Sequence, residues 1–95
     1  MRNIAGWHIE MDFLEDDYDT RATALLRLSD GTELTAHGGA KRHPSDPGQR
    51  LVGEEIAAAR ALTELARQLL EKASAEIQRA THQQPTLTPR DAPRP

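Results

Sequence analysis

The chain has 95 residues, enough for one small domain, and its fifteen acidic against twelve basic residues give a formal charge of -3. That balance disfavours broad attraction to nucleic acid or anionic lipid. The absence of cysteine excludes disulfides, thiolate metal ligands and cysteine nucleophiles, and suits a reducing cytoplasm. No stretch has the apolar length of a secretory core or a membrane span, so the sequence predicts a soluble cytoplasmic protein.

With only 3% aromatic residues, a core must come from Leu, Ile, Val and many alanines, and Trp7 and Phe13 are the expected anchors. In WHIEMDF, residues 7 to 13, Trp7, Ile9, Met11 and Phe13 alternate with His8, Glu10 and Asp12, the period of a half-buried strand. The acidic run EDDYD, residues 15 to 19, reads as a solvated connection. A second strand follows in TRATALLRLS, with Ala22, Ala24, Leu26 and Leu28 inward and Thr23, Leu25 and Arg27 outward. Asp30-Gly31 then marks a hairpin, because glycine tolerates the positive φ that such turns require. The third strand is ELTAHGG, residues 33 to 39, with Leu34, Ala36 and Gly38 inward. The following AKRHPSDPGQR is broken by two prolines and a glycine and reads as a loop.

From about Leu51 the texture changes to a long helix. Val52, Ile56, Ala59, Leu62, Ala66, Leu69, Leu70, Ala73 and Ile77 recur at spacings of three and four and form its expected buried stripe. Arg60, Glu64, Arg67 and Glu71 form a solvated opposite face suited to ion pairs. Gly53, Glu54 and Glu55 suit a first turn with its partial positive charge. The expected architecture is α+β: a three-stranded antiparallel sheet packed on one long C-terminal helix, in the order β-β-β-α over residues 1 to 81. A disordered, proline-rich tail is expected over residues 82 to 95.

The helix would run roughly 45 Å at 1.5 Å per residue, whereas seven- or eight-residue strands span about 25 Å. An overhang predicts self-association, a homodimer foremost, through Leu69, Leu70, Ala73 and Ile77.

The segments WHIEMDF, TRATALLRLSDGTELTAHGGA and HPSDPGQRLVGEEIAAARALTELARQLLEKASAEI together resemble an uncharacterised actinobacterial family. The most specific parts are Gly53-Glu54-Glu55 and the run from Ala57 to Leu62. The resemblance implies a fold of the double-stranded-RNA-binding-domain-like class, and no particular reaction. Duplex RNA binding itself is not expected. The chain opens on a strand, its first connection is acidic, and carboxylates stand at the helix start where such domains place lysines.

No set of residues pairs a nucleophile with a base. Ser29, Ser45 and Ser74 lie outside any strand-turn-helix elbow. Glu15, Asp16, Asp17 and Asp19 lack the glycine and terminal glutamate of a calcium loop. His8 and His37 share the outer sheet face and would approach each other only if the first and third strands were neighbours. Gly38-Gly39 before Lys41 and Arg42 has the composition of an anion loop without its spacing, and reads as a flexible strand exit. No cofactor or metal is expected. Lys41, Arg42, His43 and Arg50 form the one basic concentration, a candidate partner-binding loop.

Three functions follow. The leading one is a non-enzymatic, self-associating protein-interaction module. The second is nucleic-acid binding through residues 41 to 50. The third, an enzyme or small-ligand binder, needs a pocket between helix and sheet for which so small a core leaves little room.

Overall fold

A computed structural model describes residues 6 to 41 and 50 to 81. Three strands, β1 (His8–Glu15), β2 (Asp19–Arg27) and β3 (Glu33–Lys41), precede one helix, α1 (Arg50–Thr81). The sheet is an antiparallel meander in the order β1-β2-β3. The expected α+β architecture is therefore present, with both outer strands one or two residues longer than the alternation suggests. The expected tail, residues 82 to 95, lies outside the described residues. The chain divides into two compact units after Leu65, inside the expected single span of residues 1 to 81.

Both hairpins are closed by short polar side chains. In the first, the Asp16 carboxylate accepts hydrogen bonds from the backbone N–H groups of Tyr18 at 2.8 Å and Asp19 at 2.7 Å. This local capture is why an aspartate-rich stretch turns the chain rather than merely crossing solvent. Glu15 and Asp19, expected in the connection, instead end β1 and begin β2. In the second hairpin Gly31 has φ 90°, the Leu28 N–H donates to Thr32 O at 2.8 Å, and the Asp30 carboxylate accepts from the Thr32 N–H at 2.9 Å. The sequence therefore forms a turn followed by a left-handed glycine, as the Asp-Gly pair predicts.

Register fixes the two faces of the sheet. Ile9, Met11, Phe13 and Glu15 stand opposite Leu26, Ala24, Ala22 and Thr20, which in turn stand opposite Leu34, Ala36, Gly38 and Ala40. This face carries the core. Its buried members are Thr20, Ala22, Ala24 and Leu26 on β2, with Ala36 and Ala40 on β3, and α1 contributes Ala57, Ala61 and Leu65.

The core is built from small residues because the helix backbone lies directly on the sheet. A Cβ added to Gly38 would stand 2.3 Å from the Ala61 nitrogen and 2.4 Å from the Ala57 oxygen. Likewise, a Cβ on Gly53 would stand 3.2 Å from the Thr20 hydroxyl. Arg60 pins the same seam from the side, donating to the Gly39 carbonyl at 2.7 Å.

Two expectations are corrected by this close approach. The sheet-facing row of α1 is Gly53, Ala57, Ala61 and Leu65, spaced by four, whereas Val52, Ile56, Ala59 and Leu62 of the expected stripe are exposed. Larger side chains there would hold the helix away from Gly38. Trp7 and Phe13 are not buried anchors: they are 59% and 40% exposed. A seam that excludes even a methyl group at Gly38 offers no volume for an aromatic ring. Phe13 lies instead on the edge strand β1, none of whose residues is buried, and Trp7 immediately precedes it.

The second unit begins within α1. Here Leu69, Leu70 and Ala73 are half-buried and Ile77 is 39% exposed. Arg67 pairs with Glu71 and Lys72 with Glu76 one turn on, each contributing a few tenths of a kcal/mol at most, on the order of 0.3. Glu54 and Glu55 lie past the first turn, which carries no acidic residue.

Candidate interaction surfaces

Among the described residues β1 has one hydrogen-bonded neighbour, β2, so its far edge presents backbone N–H and C=O groups that no described strand receives. Natural edge strands are guarded by lysines, prolines, bulges or brevity. This one has eight residues, HIEMDFLE, with no lysine or proline. Beside that edge, on the core-side face, Ile9 is 52% exposed and Phe13 40%, and Trp7 precedes them at 59%. The flanks of α1 add Leu51, Val52, Ile56 and Leu62 to the exposed large apolar residues.

The opposite, outer face of the sheet is polar and contains a shallow depression of about 480 Å³ lined by Leu14, Arg21, Thr23, His37, Gly38 and Gly39. Register explains it. Arg21, on the central strand, stands between Leu14 of β1 and Gly39 of β3, while Thr23 stands opposite His37. With no side chain at Gly39, the row ends in a dent. The Thr23 hydroxyl is 3.1 Å from His37 Nδ1 and fixes the imidazole at its rim. One end of the same face is closed by the Arg27–Glu33 ion pair at 2.9 Å.

The residues singled out from the sequence are dispersed. His8 stands opposite Arg27 and His37 opposite Thr23, with β2 between their strands, so the two imidazoles are not neighbours. Gly38 and Gly39 lie inside β3, held by pairing to Ala22 and Arg21, and not in a flexible exit. Lys41 is the last residue of β3, exposed and opposite Asp19, and Arg50 opens α1. Arg42 and His43, and with them the rest of the expected basic loop up to residue 49, lie outside the described residues. Among the described residues, no three His, Asp or Glu side chains are placed to share a metal ion.

Arg21 and Leu14 escaped the sequence reading. Arg21 lay in a strand read for its apolar positions, and Leu14 fell just beyond the expected strand end. Extending the alternation of β1 by one residue places Leu14 on the outer face beside Arg21, a signal available in the sequence.

A three-stranded antiparallel meander followed by one long helix defines a small α+β protein, and its exposed surfaces are the chemical features described above. The chain belongs to the Rv2632c-like family, whose model matches residues 5 to 86. It is 38% identical over 79 residues to the uncharacterized protein Rv2632c of Mycobacterium tuberculosis, covering 82% of this chain and 85% of that one. It is also 33% identical over 80 residues to the uncharacterized protein Mb1767 of Mycobacterium bovis, covering 84% of each. The crystal structure of Rv2632c superposes with a TM-score of 0.73 at 35% identity, over 87% of this chain and 95% of that one. Among the described residues, no helix is long and apolar enough to cross a membrane.

Proposed function

We propose that the protein is a non-enzymatic cytoplasmic module that acts by self-association, two copies joining along β1. The observation that carries this reading is an edge strand without lysine or proline, its charges the acids Glu10, Asp12 and Glu15, with Trp7, Ile9 and Phe13 exposed beside it. A second copy supplies both things the edge lacks, a hydrogen-bonding strand and apolar cover. The thin core adds a thermodynamic reason. Leu26 is the one large apolar side chain fully buried among the described residues, and so small a core gains stability from any apolar area buried between copies.

The helix surface of Leu69, Leu70, Ala73 and Ile77 is the second place where copies could meet. Its partial burial makes it the weaker candidate. The β-β-β-α order also supports a double-stranded-RNA-binding-domain-like classification. The acidic connection between β1 and β2 favours protein partners over duplex RNA.

Sedimentation velocity of the untagged full chain tests the reading. A dimer at tens of micromolar, reduced to monomer by Phe13→Lys and retained in Ile77→Lys, is expected. A strictly monomeric particle in that range overturns the proposal. A dimer broken only by Ile77→Lys moves the interface to α1.

A further inference from the structure

The depression on the outer face of the sheet combines three features. Its cation is unspent: among the described residues, Arg21 makes no ion pair or side-chain hydrogen bond, whereas Arg27, on the same strand and face, is held by Glu33. Its second donor is oriented, since the hydroxyl of Thr23 engages His37 Nδ1 and leaves Nε2 for a ligand. Its floor is bare backbone at Gly38 and Gly39, and its far wall is Leu14, 74% exposed. A planar guanidinium with several donors matches an oxyanion, an imidazole whose Nδ1 accepts from the Thr23 hydroxyl has its N–H at Nε2 as one more donor, and the leucine offers an apolar contact beyond them.

We infer that this depression binds a small organic oxyanion, a phosphate monoester or carboxylate carrying a compact apolar group, with Arg21 and His37 on the oxyanion and Leu14 against the apolar body. The volume of about 480 Å³ is of the size such ligands occupy. The site is open, and the protein's net charge of -3 opposes an anion, so the affinity belongs in the millimolar range. The site lies on the face opposite Ile9 and Phe13, and the inference stands whether or not the protein self-associates.

Gly39 provides the decisive variant. A Cβ there meets only the Thr20 carbonyl oxygen at 3.8 Å, an ordinary contact, so Gly39→Val fills the dent without disturbing the α1 seam. The experiment is an amide-resolved NMR titration of the full chain with phenyl phosphate, with benzoate, inorganic phosphate and benzyl alcohol in parallel. Saturable shifts at Thr23, His37, Gly38 and Gly39 with phenyl phosphate or benzoate are expected, and the stronger of the two identifies the oxyanion. Binding should weaken about tenfold in Arg21→Gln. It should vanish in Gly39→Val while the remaining spectrum is retained, and inorganic phosphate, lacking the apolar body, should bind more weakly.

Shifts that do not saturate, that titrate with unchanged affinity in Arg21→Gln, or that benzyl alcohol reproduces overturn the inference. So does duplex RNA perturbing these amides at low salt when phenyl phosphate does not.

Discussion

The seam between α1 and strands β2 and β3 and the free edge of β1 reverse the usual relation between residue size and burial. At the seam, glycine and alanine are buried: Ala22, Ala24, Ala57 and Ala61 are at 0 or nearly 0% exposure, and Gly38 touches helix backbone. At the edge, Trp7, Ile9 and Phe13 are 40 to 59% exposed. Close approach of two backbones buries little side-chain area per residue but leaves few voids, so the seam specifies geometry. The edge retains the apolar area that a seam of that thickness cannot absorb, and this is why the proposed self-association is placed there.

The sharpest way to break this comparison is at Gly38. Gly38→Ala drives a methyl group into the backbone of α1, which no rotamer change relieves, and is expected to cost about 3 kcal/mol of stability in denaturant unfolding. Its neighbour provides the control. Gly39 points to the opposite face with room for a Cβ, so Gly39→Ala should be neutral or stabilise the strand by about 0.5 kcal/mol. Equal losses at the two positions would mean that the seam is not as tight as the Gly38 geometry requires.

Phe13→Lys probes the other region. Placing a charge beside the edge should weaken self-association by about 2 kcal/mol, the scale of an interface anchor. Sedimentation across a concentration series reads that change, and a dilute thermal melt separates it from monomer stability. If the melt falls as far as in Gly38→Ala, Phe13 is a core anchor after all and the contrast fails.

A smaller change tests the seam from beneath the helix start. The Thr20 hydroxyl is buried and, among the described residues, has no hydrogen-bond partner. Replacing an unsatisfied buried hydroxyl by a methyl group of similar shape removes a desolvation penalty, so Thr20→Val should raise stability by about 1 kcal/mol. A loss of stability in that variant would show that the hydroxyl is bonded in solution.

The strands, the second turn and the helix were readable because each rests on a local rule: alternation, an Asp-Gly pair, and three-and-four spacing. The helix face was not readable by the same rule. Weighting positions by hydrophobic size selects Val52, Ile56 and Leu62, yet the sheet takes Gly53, Ala57 and Ala61, because the decisive quantity is the interlayer distance set by Gly38. That distance has a sequence correlate. Small residues inward at 22, 24, 36, 38 and 40 face a helix with small residues at 53, 57 and 61, a complementarity between two segments that no single-segment period reveals. The same argument accounts for Trp7 and Phe13, whose rings were assigned to a core too shallow for them. The outer depression was hidden for another reason: it depends on the cross-strand register of Leu14, Arg21 and Gly39.

Salt gives the finest test of how the edge is used. Glu10 and Asp12 point to the outer face of β1. Antiparallel pairing of β1 with its copy brings these acids into proximity across the new ladder, at a cost of roughly 0.5 kcal/mol per like-charge pair. Screening reduces that cost, and the apolar contacts of Ile9 and Phe13 are not weakened by salt. Self-association along β1 is therefore expected to tighten slightly as salt rises from low to moderate concentration, measured by the same sedimentation series. Association that instead weakens with salt would point to opposite charges in contact, the acidic turn of one copy against Lys41 and its basic neighbours in another, and would move the interface away from the apolar edge.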